Sequence, residues 1–322
     1  MKKLIAVTIA ICAITAAAYA DNNGKEEDEG VHYIPLAQYD HLSLDKQTVN
    51  SPGAGLVIQG KDVMFVGLYT RHILKEESQC DYPDAFHSID TLLDGRAGRH
   101  QYLVLFKSES NEPVYGGFNT FQSALMYGYE FVSSEHTSFI FGGGIAVSDF
   151  GIDMPNGEPW PVIPVPLIRY KYDGSWLYTS FDFITGPNLN MVVGPKSQFR
   201  LTVDTRMDEF RDERDILFEC TLGYRFFPVD HEMGDFAGVA VGFKNDNYGA
   251  FELNERYADF TCDDDETESL EMHYYAVFAT LDITLLKISG GYAFGGRELC
   301  RKEEKRDLGD GYFVSIQGLY QF

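Results

Sequence analysis

The chain has 322 residues and a net charge of −23, with 49 acidic against 26 Lys and Arg side chains. So large an acid excess disfavours a nucleic-acid partner, whose phosphates call for a basic surface. Beyond the first twenty residues no apolar run approaches the ~18 residues of a membrane-spanning helix, which leaves a single closed sheet or two small domains.

Lys2 and Lys3 precede an apolar run from Leu4 to Ala18, and Ala18-Tyr19-Ala20 leads into a polar Asp21. This is the layout of a secretory signal peptide cleaved after Ala20, so residues 1–20 are set apart from the fold. Cys12 lies inside it, after Ile11 rather than a small residue, which argues against lipidation. Residues 21–50 read as an acidic leader, with Glu26, Glu27, Asp28 and Glu29, running into an irregular segment. The sheet is expected over 51–322.

Ala54–Gln59 and Val63–His72 read as strands around Gly60-Lys61-Asp62. Pro83-Asp84 then opens an expected short helix, with Phe86, Ile89, Leu92 and Leu93 on one face and Gly95 at its end. It would sit in a long loop, 73–100, either folded over a pore or standing outside it. Gln101–Lys107, Phe121–Phe131 and Phe139–Val147 follow as strands. Pro164–Tyr172 turns at Asp173-Gly174 into Trp176–Phe183, a hairpin signal. Gly186-Pro187-Asn188 and Gly194-Pro195-Lys196 read as two reversals.

Ser197–Arg206 alternates most clearly. Phe199, Leu201 and Val203 face one way, against Gln198, Arg200, Thr202, Asp204 and Arg206. Ile216–Phe226, Ala237–Phe243, Tyr275–Ile283 and Ile288–Phe294 continue the series. The last stretch, Asp310–Phe322, sets Tyr312, Val314, Ile316, Gly318, Tyr320 and Phe322 on one side. Counting back from it gives twelve strands from Val63, or fourteen with residues 33–59.

Alternation alone does not separate a membrane barrel from a soluble periplasmic β-sandwich. Two further features favour the barrel. The 20 Tyr and 24 Phe gather at strand ends, as aromatic girdles require. Tight connections at 133–135, 173–174 and 194–196 contrast with long ones at 73–100, 149–162, 246–268 and 297–310, the asymmetry of outer-membrane barrels. The expected fold is all-β: a transmembrane antiparallel β-barrel of about twelve strands, with ten to fourteen allowed.

With its signal peptide, its final Gly318-Leu319-Tyr320-Gln321-Phe322 and its Pro164–Phe183 staves, the chain resembles bacterial outer-membrane β-barrel proteins. The Pro164-Val165-Pro166-Leu167-Ile168-Arg169-Tyr170 segment before a tight hairpin is distantly similar to the OmpV/MipA-like group. The resemblance implies a place in the outer membrane of a diderm bacterium, with outer-membrane lipid and the barrel-assembly machinery as partners. It implies that Tyr320 and Phe322 act as the assembly signal. It implies no known substrate.

On the expected inner face, Arg169, Lys171, Arg200, Arg206, Arg225, Lys244 and Lys287 meet Glu130, Asp182, Asp204, Glu219 and Asp282. These are either a selectivity lining for small solutes and ions or a salt-bridged plug. Asp263, Asp264, Asp265, Glu266 and Glu268 form an acidic loop cluster that offers oxygens to a cation without EF-hand spacing, so a solvated loop is its competing reading. Cys80, Cys262 and Cys300 lie in polar surroundings that permit a disulfide, whereas Cys220 sits in an apolar register. No cofactor motif is present. No catalytic constellation emerges either, because His72, His87, His100 and His136 lack a Ser or Asp partner at strand spacing, His231 lies in a turn, and His273 is too far from Asp282 along one strand. The expectation is a non-enzymatic small pore or transporter. The alternative is a structural or adhesive surface barrel with acidic binding loops.

Overall fold

The computed structural model describes residues 31–76, 83, 85–111, 120–148, 161–183, 187–194, 198–207, 216–226, 238–247, 251–252, 261–262, 265–266, 269–283, 286–299 and 305–319. Sixteen long strands run through them. They are β1 (His32–Leu44), β2 (Gln47–Gln59), β3 (Val63–Glu76), β4 (Ala85–Ala97), β5 (His100–Ser110), β6 (Phe121–Ser133), β7 (Thr137–Val147) and β8 (Val162–Asp173). After them come β9 (Leu177–Phe183), β10 (Pro187–Val193), β11 (Gln198–Met207), β12 (Ile216–Arg225), β13 (Gly238–Asn247), β14 (Ser269–Ile283), β15 (Leu286–Leu299) and β16 (Lys305–Leu319).

Each strand pairs antiparallel with its neighbours in sequence, and β1 pairs with β16, setting Tyr39 against Ile316 and Leu42 against Phe313. The sheet is therefore a closed barrel with no free edge. With an even number of strands, the start of β1 and the end of β16 share one rim, called here the near rim. Its connections are tight, such as 60–62, 98–99 and 284–285, apart from 226–237. The turn after β4 uses Gly98 at φ +61°, a backbone state that favours glycine. The far rim carries the longer connections 111–120, 148–161 and 248–268.

The strand count corrects the expectation of about twelve. Two strands account for the step from fourteen to sixteen. The expected helix from Pro83 is the strand β4, so the long loop 73–100 does not exist as such. The span between the two expected Gly-Pro reversals is the seven-residue strand β10. The sheet also begins before residue 51, because β1 closes it. The charged loop expected at 297–310 shrinks to the connection 300–304 between β15 and β16. Residues 1–20, Cys80 and Cys300, Asp263, Asp264 and Glu268, and Tyr320 and Phe322 lie outside the described residues.

One face of the sheet is an apolar belt. Leu125, Val241 and Phe199 are 56%, 59% and 62% exposed, alongside Tyr127, Phe141, Ile145, Leu222, Tyr224, Val277 and Tyr312. On β6 the outward series runs from Phe121 to Phe131, which at ~3.3 Å per residue and the usual barrel tilt spans about 25 Å. Free Cys220 lies on this outer face, on β12 beside Phe243 of β13. The other face points inward, and nearly all the buried side chains are there.

Candidate functional site: the barrel interior

The interior is built from every second residue along each strand, so its chemistry follows from register. Around the closing seam an apolar cluster fills the far-rim end: Leu42 and Leu44 on β1, Val49 on β2, Leu74 on β3, Phe86 on β4, Leu270 and Met272 on β14, and Leu308 on β16. Glu298 of β15 is fully buried beside it and accepts from the Arg306 guanidinium at 3.3 Å.

The far-rim mouth is spanned on this side. Within the 248–268 connection, Phe251–Glu252 pairs antiparallel with Leu270 and Ser269 at the top of β14, and Glu252 also pairs with Ser110 at the top of β5. Strands β15, β16 and β1–β4 stand between those two anchors, so the segment bridges the tops of two strands that are seven places apart around the barrel. Thr261–Cys262 and Asp265–Glu266 form a small ladder in the same connection. This places Asp265 and Glu266 of the acidic cluster on a hairpin.

A second apolar cluster occupies β5–β8, with Leu103, Ala124, Met126, Ala146, Val165 and Leu167. Below it, towards the near rim, an ionic strut crosses a chord of the lumen. Arg169 of β8 donates to Asp182 of β9 at 2.7 Å and to Asp94 of β4 at 2.8 Å, with β5–β7 between. Gln101 donates to both oxygens of the same Asp94. Such closeness needs a thin wall, and β6–β7 supply it with glycine. A Cβ at Gly128 would meet Leu167 Cδ2 at 2.8 Å, and one at Gly142 would overlap the Tyr127 carbonyl oxygen and the Gly128 Cα.

The twelve charged residues expected inside all fall at inward register positions. Glu130 accepts from Ser138 at 2.6 Å. Lys171 lies opposite Ser180, and Asp182 opposite Arg169. Asp204 sits between Asn190 and Glu219, while Arg206 is opposite Asn188. Arg200 and Arg225 lie one pair apart along β11 and β12, and Arg225 is 2% exposed. Asp282 stands opposite Lys287. The twelve do not form one ring. Glu130 and Lys171 belong near the strut, whereas Asp204, Glu219 and the arginines line β11–β12.

Three groupings were not anticipated. Asp94 falls within the expected helix, so its bond to Arg169 carries no sequence signal. Lys244 is held among aromatic rings from β14 and β16. His72, read as lacking a partner, has Ser51 Oγ at 2.8 Å from Nδ1 and Ser88 Oγ at 2.9 Å from Nε2. Both hydroxyls are buried, 0% and 5% exposed, so neither presents a nucleophile to a solute. The chain of bonds ties β2, β3 and β4 together. Among the described residues no group of three or more His, Cys, Asp and Glu side chains converges as metal ligands.

No family model and no curated protein sequence matches the chain. Solved structures similar to it include OccK7 (OpdD) of Pseudomonas aeruginosa, at 10% identity and a TM-score of 0.39, covering 92% of this chain and 99% of that one. OccAB3 of Acinetobacter baumannii matches at 7% and 0.41, over 91% and 99% of the two chains. The COG4313 outer membrane channel of Pseudomonas putida F1 matches at 11% and 0.32, over 92% and 99%.

Proposed function

We propose that this protein is an outer-membrane β-barrel that passes small polar solutes or ions along the β9–β13 side of its lumen. The observation that carries this reading is the closed sixteen-strand sheet with its apolar belt outward and a polar strip inward. A barrel of this strand number is wide enough for an aqueous channel, unlike the filled eight-stranded type. The belt matches the height of an outer-membrane hydrocarbon layer. Lipid surrounds the barrel, the near rim faces the periplasm, and insertion falls to the barrel-assembly machinery that the Tyr320 and Phe322 pattern addresses. The narrower resemblance to the OmpV/MipA-like group rests on the Pro164–Tyr170 segment alone. A non-enzymatic role fits the buried hydroxyls around His72.

The passage runs outside the two apolar clusters. On β10–β12 the inner face offers Asn188, Asn190, Thr202, Asp204, Glu219 and Thr221, with Arg200 below. Asp204 and Glu219 are directly opposite each other, with Arg200 and Arg225 further along the same two strands, so the strip carries charges of both signs, the composition of a selectivity lining. The acid excess of the whole chain favours cations.

The test is planar-bilayer conductance of the refolded chain, with heat-modifiable gel mobility as the folding control. Discrete channels are expected, preferring potassium to chloride. Replacing Asp204→Asn and Glu219→Gln together lowers that preference at least about twofold while leaving the gel shift intact. A folded but silent barrel overturns the pore reading and leaves the structural or adhesive one.

A further inference from the structure

Lys244 stands on the inner face of β13 in an unusual setting. Its ammonium lies 4.5 Å from the centre of the Phe313 ring, 5.5 Å from that of Tyr274 and 6.0 Å from that of Phe278. It donates to Asp246 at 2.6 Å, and the Tyr274 hydroxyl donates to the same carboxylate oxygen at 3.2 Å. Asp40 of β1, hydrogen-bonded to Ser315, adds a second carboxylate within electrostatic reach of Lys244. Three π-faces and two carboxylates around one ammonium are the recognition chemistry of an organic cation.

The register shows how the sequence makes the box. Directly opposite Lys244 on β14 is Ala276, flanked by Tyr274 opposite Asp246 and Phe278 opposite Gly242. The small alanine leaves the gap that the ammonium enters, and the two rings stand on either side. Strand β15 separates β14 from β16 and contributes only Gly291 and Ala293 at this level. A Cβ at Gly291 would overlap the Val277 carbonyl oxygen and strike Phe278 Cα and Cβ at 2.7 Å, so the glycine lets β14 and β15 lie this close. Phe313 packs against Phe278 at 6.1 Å and against Tyr274 at 6.3 Å between centres.

The occupant also has somewhere else to go. On its other side Lys244 is the cross-strand partner of Glu219 on β12. A rotation of the flexible lysine stem moves the ammonium from Asp246 to Glu219, onto the polar strip. With Lys244 turned away, the box keeps both carboxyl groups and all three rings and loses its resident positive charge.

We propose that Tyr274, Phe278, Phe313, Asp40 and Asp246 form a lumenal binding site for small alkylammonium ions, and that Lys244 is its displaceable resident. The proposal rests on the pore reading for its substrate class, since it names the solutes that the channel would favour. Binding itself does not depend on conduction, so the two fail separately.

The experiment titrates the refolded full-length barrel with tetramethylammonium chloride in a calorimeter, against sodium chloride at equal ionic strength. Wild type is expected to bind the organic cation in preference to sodium. Lys244→Met keeps the stem and removes the competitor, so its affinity should rise by roughly tenfold. Adding Phe313→Leu to Lys244→Met should return affinity to wild type or below. If Lys244→Met does not give the folded gel band, wild type and Phe313→Leu are compared, and the preference for tetramethylammonium should vanish in the latter. Equal affinity for sodium and tetramethylammonium in wild type, or a gain in Lys244→Met that survives Phe313→Leu, overturns the proposal. Channels that conduct without binding tetramethylammonium remove the site and keep the pore. Binding in a silent barrel does the reverse.

Discussion

The two walls of this barrel are built on different rules. Strands β9–β13 are seven to ten residues long, whereas the other eleven have eleven to fifteen. Among the described residues, the buried apolar side chains on the short wall are Val192 and Leu217 alone. The tall wall holds both apolar clusters, the His72 hydrogen-bond chain and the strand that crosses the mouth. In the tall wall many strands are apolar on both faces, one outward and one towards side chains across the lumen. In the short wall the inner face is mostly polar, with Val192 and Leu217 as buried apolar members. One wall thus packs the barrel as a core packs a soluble domain, and the other leaves a lining.

The sharpest way to break this contrast is to disturb the thin part of the tall wall. Gly142 faces inward on β7, where a Cβ would overlap the β6 backbone; Gly143 faces outward, where a Cβ meets only the Val165 carbonyl oxygen at 3.1 Å. Gly142→Ala should lose the heat-modifiable folded band altogether. Gly143→Ala should keep it. If both fold alike, the close approach of β6 and β7 is wrong, and with it the packed wall.

A smaller effect is expected at the strut. Arg169 serves two carboxylates whose side chains are 13% and 25% exposed. Arg169→Ala leaves both without their shared cation, and about 2 kcal/mol of unfolding free energy should go, read by urea titration in lipid vesicles. Arg169→Lys should recover only part, because one ammonium does not reproduce the forked guanidinium geometry. Full recovery by lysine would mean that the chord-spanning bond to Asp94 contributes nothing.

The sequence made the short wall's rule visible and hid the tall wall's. β11 and β12 were legible because one face is polar throughout: Arg200, Thr202 and Asp204 against Phe199, Leu201 and Val203. In β4 apolar residues sit on both faces, Phe86 and Leu92 inward and Ile89 and Leu93 outward. Their spacing of three and four imitates a helix, so the two-residue period disappears. β10 was hidden for another reason: Pro187 opens it and Gly194 at φ +135° closes it, which makes a seven-residue strand look like two turns. The two omissions together preserved an even count, so parity gave no warning. Contacts across the lumen were out of reach altogether. Asp94 and Arg169 are 75 positions apart, and nothing in the alternation of β14 indicates that Phe313 meets Tyr274 and Phe278.

The finest test sets one threonine of each wall against the other. Thr280 on β14 is hydrogen-bonded to Ser289 on β15 at 2.9 Å, so both hydroxyls are satisfied inside the packed wall. Thr202 on β11 has a buried hydroxyl with no hydrogen-bond partner among the described residues. Thr280→Val removes one member of a made bond and strands Ser289, which should cost about 1 kcal/mol. Thr202→Val replaces an unsatisfied hydroxyl by a methyl of the same shape, and stability should stay within about 0.5 kcal/mol or rise. A clear loss at Thr202 would mean that lumen water completes its hydrogen bond. The short wall would then be wet at the level of Thr202 and Thr221, and a solute path there would have to displace that water. No loss at either position would instead make the two walls energetically alike, and the division drawn from strand length and apolar fill would lose its meaning for stability.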